Sequence, residues 1–150
     1  MSDDQGLFQL TVDDLYCKAK NDLESFLKNP NDDVLLNVLF SFNHLRDWIY
    51  PKGHEAYKNK IENQRTKEEK IHAQLHEDED YKIVRELCNR IKHVNKKDSA
   101  SETEVKHGLF AGIARAGDKL DNRNYLVDGQ DLRSILERVF DLYKGYFGNE

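Results

Sequence analysis

The sequence predicts a mainly α-helical fold: a bundle of four or five helices with a small β-hairpin before the C-terminal helix. Three observations predict it. Apolar residues recur at helical spacing through most of the 150 residues. Only two prolines interrupt the chain, so long helices are permitted. Between 105 and 127 the apolar period shortens to alternation, the mark of extended strands.

Residues 1–10 read as a flexible lead-in. Thr11 then offers an N-cap, with Asp13 and Asp14 where the helix dipole favours carboxylates. Val12, Leu15, Ala19, Leu23, Phe26 and Leu27 carry the first helix to about Lys28, and Asn29-Pro30-Asn31 ends it. Asp32 or Asp33 is the expected cap of the second helix, which runs to the residue before Pro51. That helix is apolar nearly all round over its first half, as a central helix of a bundle would be. Residues 52–78 are polar enough to form an exposed insert or exposed helix. The acidic block Glu77-Asp78-Glu79-Asp80 leads into a helix over about 80–95. Val105, His107, Leu109, Ala111 and Ile113 alternate as a first strand, Ala116-Gly117-Asp118 offers a turn, and Tyr125-Leu126-Val127 a second strand. Gly108 and Gly112 suggest a bulge or close backbone approach. A last helix from about Gln130 carries Leu132, Ile135, Leu136, Val139, Leu142 and Tyr143 as one stripe. Residues 1–150 are thus expected to form one helical domain, the size of one ordinary domain.

Composition narrows the function classes. Apolar residues make up 38% and charged residues 34%, and mean hydropathy is -0.84; 15 aromatic residues still suffice to anchor a core. The net charge of -5 argues against coating nucleic acid by bulk charge. Charge is uneven, however: residues 51–98 hold 12 Lys and Arg against 10 Asp and Glu, leaving room for a local basic surface. Cys17 and Cys88 are far apart and read as buried free thiols of a reducing compartment. No signal peptide and no membrane-spanning apolar run is visible, so the expected location is the cytoplasm.

The stretch Arg85–Val94 is the best functional lead. On a helical wheel of about 100° per residue, Val84, Leu87, Cys88, Ile91 and Val94 share one side. Asn89 and His93 fall opposite, with Arg85 and Lys92 beside them and Arg90 on the flank. An imidazole among cations disfavours its protonated form and can serve as a neutral base near pH 7. Arg and Lys can hold a phosphate or the charge that develops on it. That set suits metal-independent RNA cleavage, in which a 2′-hydroxyl attacks the adjacent phosphate. On this reading His93 is the base, Arg90, Lys92 and Arg85 contact phosphate, and Asn89 orients substrate or imidazole. His44 and Asp47, one turn apart on the second helix beside Trp48, are the supporting pair, with His44 partly buried. Two other readings stand beside this one: Asn89 and His93 as buried polar ties between helices, and a non-catalytic module that holds a protein partner by the same face or by the exposed His54–His76 segment.

Metal ligation is weakly signalled. His72 and His76 are one turn apart, but His72-Ala73-Gln74-Leu75-His76 lacks the glutamate of a zinc-protease helix. Glu69 and His72 have the Glu-x-x-His spacing of di-iron bundles, without a second helical copy. No phosphate-binding glycine loop, nucleophile elbow or Cys-x-x-Cys pair is present, so no metal and no cofactor is expected.

The succession His44-Leu45-Arg46-Asp47-Trp48, then Asn89-Arg90-Ile91-Lys92-His93, then a glycine-containing hairpin and a helix ending in aromatics, resembles a widespread group of small uncharacterised bacterial proteins. The resemblance covers about 34–147 and implies the helical fold. More distantly, a helical core with a late Asn/Arg…His motif is similar to the HEPN superfamily. That similarity implies a cytoplasmic, often homodimeric protein and, in many members, a toxin or phage-defence ribonuclease with an Arg-x(4–6)-His motif; non-catalytic members are binding modules. The spacing here departs from that motif, with two residues between Arg90 and His93 and seven between Arg85 and His93.

Overall fold

A computed structural model describes residues 10–92 and 101–148. It is a mainly helical bundle with a small antiparallel sheet before the C-terminal helix. The elements in order are α1 (Val12–Lys28), α2 (Asp32–Ile49), α3 (Lys67–Glu77), α4 (Glu79–Lys92), β1 (Thr103–His107), β2 (Arg123–Val127), β3 (Gln130–Asp131) and α5 (Leu132–Phe147). Two single 3-10 turns, His54–Ala56 and Glu62–Gln64, lie between α2 and α3.

Helix ends follow their capping chemistry. Thr11 and Asp14 form a reciprocal capping box at α1. The cap of α2 is Asn31, whose Oδ1 accepts from Val34 N at 3.1 Å, and not Asp32 or Asp33; those two acids fill the first turn. Asp78 both ends α3 and starts α4, accepting from Tyr81 N at 2.8 Å. Gly148 stops α5 in the left-handed region at φ 96°.

One apolar core takes side chains from all five helices and from β2. Phe26, Val38, Phe42, Leu45, Leu75, Val84, Ile135 and Tyr143 are fully buried in it. Three polar tips inside the core are tied off: Tyr143 Oη donates to Phe42 O at 2.6 Å, Tyr81 Oη to Asn43 Oδ1 at 3.2 Å, and Cys88 Sγ to Leu39 O at 3.2 Å. Cys17 is exposed, contrary to the expectation of two buried thiols, because α1 turns Tyr16 and Ala19 inward instead.

The stretch 52–78, expected as an exposed insert or exposed helix, is exposed in its first half and contributes to the core through Tyr57 and α3. Residues 58–64 are exposed, but Tyr57 is buried, and α3 buries Glu69, Ile71, His72, Ala73 and Leu75. Polar composition concealed this, because two of the inward residues are a carboxylate and an imidazole.

The expected first strand ends early. β1 pairs with β2 from Thr103↔Val127 to His107↔Arg123 and stops before Gly108, whose φ is 119°; β3 adds a two-residue third strand. Residues 108–122 form a loop, not a continuing strand. Arg133, 2% exposed, holds it: its guanidinium donates to Asp118 at 2.7 and 3.1 Å, to Asp131 at 3.0 Å and to Ile113 O at 3.2 Å. Removing one member of a buried pair strands the other charge. Arg133→Ala is therefore expected to cost about 3 kcal/mol in urea denaturation, with faster amide exchange across 108–122. Arg133→Lys should not restore it, since an ammonium lacks the two-pronged donor geometry.

Candidate functional site

α4 lies antiparallel on α2: Tyr81 meets Asn43, and Cys88, two turns further along α4, meets Leu39, one turn back on α2. For two antiparallel helices, side chains a quarter-turn onward from each contact line emerge on the same side of the pair. Those positions are Phe40 and Asp47, with His44 beyond them, on α2, and Arg85 and Asn89 on α4. The fold thus gathers four of the expected site residues on one side, without direct contact between them.

Their individual settings differ from expectation. His44 is exposed, not partly buried, and its ring lies nearly parallel to Phe40 at 6.3 Å. Asp47 does not orient His44; it accepts from the Arg46 guanidinium at 3.2 Å. Arg90 is turned to the other flank. It donates to Glu86 Oε1 at 3.1 Å, to Thr103 Oγ1 at 3.4 Å and to Ser101 O, tying α4 to the entry of β1 rather than offering itself to a phosphate. Asn89 is half-buried. Lys92 closes α4, but its side chain and the whole of His93 lie outside the described residues.

Three histidines missing from the expected site complete this end of the molecule. His54 and His76 stack at 4.0 Å between centroids and 11° between planes, both half-buried. Arg85 reaches His76 Nδ1 at 3.4 Å. Because a guanidinium only donates, that nitrogen carries the lone pair. Burial above all, then His54, Arg85 and Arg46, push the His76 imidazole below the usual histidine range.

Behind the stack a buried polar layer fixes its base. His72, 3% exposed, shares a 2.5 Å hydrogen bond with Tyr57 Oη, and the Tyr57 ring stands edge-on to His54 at 5.3 Å. Tyr50 packs edge-on against Tyr57 and His72, and donates to Glu69 Oε2 at 3.0 Å. Glu69 also accepts from Lys60 at 3.2 Å and from Thr66 N at 3.0 Å. Thr66 and Glu69 form a capping box, so the carboxylate that starts α3 also anchors the tyrosine layer. This Thr-x-x-Glu spacing was the readable signal for α3. Ile71, His72 and Leu75 at i, i+1 and i+4 placed His72 on its buried face.

Among the described residues, no three His, Cys, Asp or Glu side chains are grouped to hold a metal ion, and no helix is long and apolar enough to cross a membrane. No family model, curated protein or solved structure matches the chain.

The buried layer has a pH signature. Burial, then the Arg46 charge, hold the His72 imidazole down at about 4. The unfolded chain accepts that proton near 6.5, so stability from His72 is complete above about 6.5 and declines as pH falls toward 4. Glu69, held at about 2 by the Thr66 N–H first and by Lys60 and Tyr50, extends the loss from about 4.5 downward. Denaturation curves at stepped pH should show stability falling across both windows. In His72→Gln the slope between 6.5 and 4 should be shallower by about one proton.

Proposed function

We propose that the chain is a metal-independent ribonuclease, as the HEPN-like resemblance implies, acting on the side of α2 and α4 that carries the stacked histidines. The observation that carries the reading is the His54–His76 pair at 4.0 Å with Arg85 against it. Cleavage through a 2′-hydroxyl needs a base for the hydroxyl and an acid for the departing oxygen. Two stacked imidazoles disfavour carrying a proton each, which keeps a neutral base available at the pair. Burial and the neighbouring cations favour His76 as the neutral partner. Among the described residues its Nδ1 is engaged only by the long 3.4 Å Arg85 contact, which a 2′-hydroxyl would replace. Arg85, released, would take a phosphate oxygen, and His54 would donate a separate proton to the leaving oxygen while His76 keeps the one it has taken. Asn89, His44 and Asp47 border the same side and would contact the flanking nucleotides. A toxin or phage-defence role would follow from such cleavage, acting from a cytoplasmic homodimer.

Incubating a mixed RNA pool with the full chain in EDTA tests this. Wild type should cleave, His76→Ala should lose about 10²–10⁴-fold in rate, and Arg85→Ala should be impaired while folded. Cleavage that survives His76→Ala would refute the assignment.

A non-catalytic binding module is the second reading. It is favoured by the exposed Ile91 (39%) and Val105 (47%), which line one concavity with Leu35 and Leu87, an apolar surface suited to a protein partner. Folded wild-type protein that leaves all RNA intact would favour it.

A further inference from the structure

A second concave site lies at the opposite end of α2, about 25 Å from the stacked histidines by helix rise. It is a polar concavity of about 340 Å³ where the α1–α2 junction meets the base of the sheet, lined by Lys28, Asn31, His107, Lys119, Asp121 and Arg123 among others. We propose that it binds a small phosphate-bearing ligand, in the class of a nucleoside monophosphate.

Charge is the first argument. Lys28, Lys119 and Arg123 converge on the concavity and Asp121 is the acid in its lining, in a chain whose net charge is -5. Arg123 is shared with Asp32 at 3.4 Å. The exposed Lys28 and Lys119 ammonium groups make no ion pair among the described residues. Three cations against the single lining carboxylate of Asp121 leave positive charge in excess, which a phosphate dianion would neutralise.

The walls of the concavity are also held rigid. Long loops bury little, yet three buried polar side chains are spent on shaping this one. Asn124, 2% exposed, donates from one amide to Lys106 O at 2.9 Å and Gly108 O at 2.8 Å. Asn122, 7% exposed, donates to Asn124 Oδ1 at 2.8 Å, and its carbonyl accepts from Gly108 N at 2.8 Å. Arg133 grips Asp118, one residue before Lys119. Burying amides and a guanidinium is costly unless each is satisfied. Here they fix the backbone that carries His107, Lys119 and Arg123 before any ligand arrives, which lowers the ordering cost of binding. The size falls at the lower end of small-molecule pockets, which favours a nucleotide-sized ligand over a polymer groove.

Calorimetric titration of the full chain with adenosine 5′-monophosphate, inorganic phosphate and adenosine tests the proposal. Adenosine 5′-monophosphate should bind saturably and adenosine should not. Equal binding of inorganic phosphate would assign the site to the phosphate group alone, and weaker binding would assign it to the nucleotide. Lys28→Gln and Lys119→Gln should each weaken binding about fivefold or more, with melting temperature unchanged because both side chains are exposed. No saturation by either phosphate up to about 10 mM, equal binding of adenosine, or binding indifferent to both substitutions would overturn it.

Discussion

The seating of α4 on α2 governs the rest of the structure. Tyr81 is fully buried at this contact, its hydroxyl on Asn43, while Cys88 reaches the Leu39 carbonyl further along. The two polar contacts fix register and rotation together, where apolar packing alone would tolerate slippage. Once α4 is locked in this way, Arg85 must emerge beside the end of α3. Asp78 enforces the same result from the other side, since it caps α4 immediately after α3 ends. His76 and Arg85 therefore meet across a tight turn whose geometry is set by one carboxylate.

Buried polarity is concentrated, and that concentration is informative. Glu69 and His72 lie under the histidine stack; Asn122, Asn124 and Arg133 lie under the loop of the second concavity. Each group is satisfied by short, well-directed hydrogen bonds. A core of this size could be closed with apolar residues at less desolvation cost. Apart from Ser41 and Asn43 in the middle of α2, its buried polar groups stand under the two surface regions whose side chains they hold still.

Much of the fold was legible in the sequence because its signals are local. The Thr11–Asp14 box, the α5 stripe and the break at Pro30 each depend on neighbours within one turn. The site was only half legible. Arg85 and Asn89 could be placed on one helical face by periodicity, but Arg90 shares that neighbourhood and is captured by Glu86 and Ser101, partners 4 and 11 residues away. His72 was hidden by its chemistry: an imidazole among Glu, Lys and Gln reads as solvated, and only the Ile71 and Leu75 flanks betray its inward face. Arg133 has one partner within its own turn, Asp131, but Asp118 and the Ile113 carbonyl come from a loop 15 to 20 residues upstream, which no local pattern signals.

The central claim is that α2 and α4 position a histidine kept neutral by burial and by neighbouring cations. The most direct measurement is the titration of the six histidine rings by NMR in wild type and Arg85→Gln. The account predicts that His76 titrates below the ordinary histidine value of about 6.5 and moves upward when the Arg85 charge is removed. A His76 that titrates at or above that value, and ignores Arg85→Gln, would contradict it.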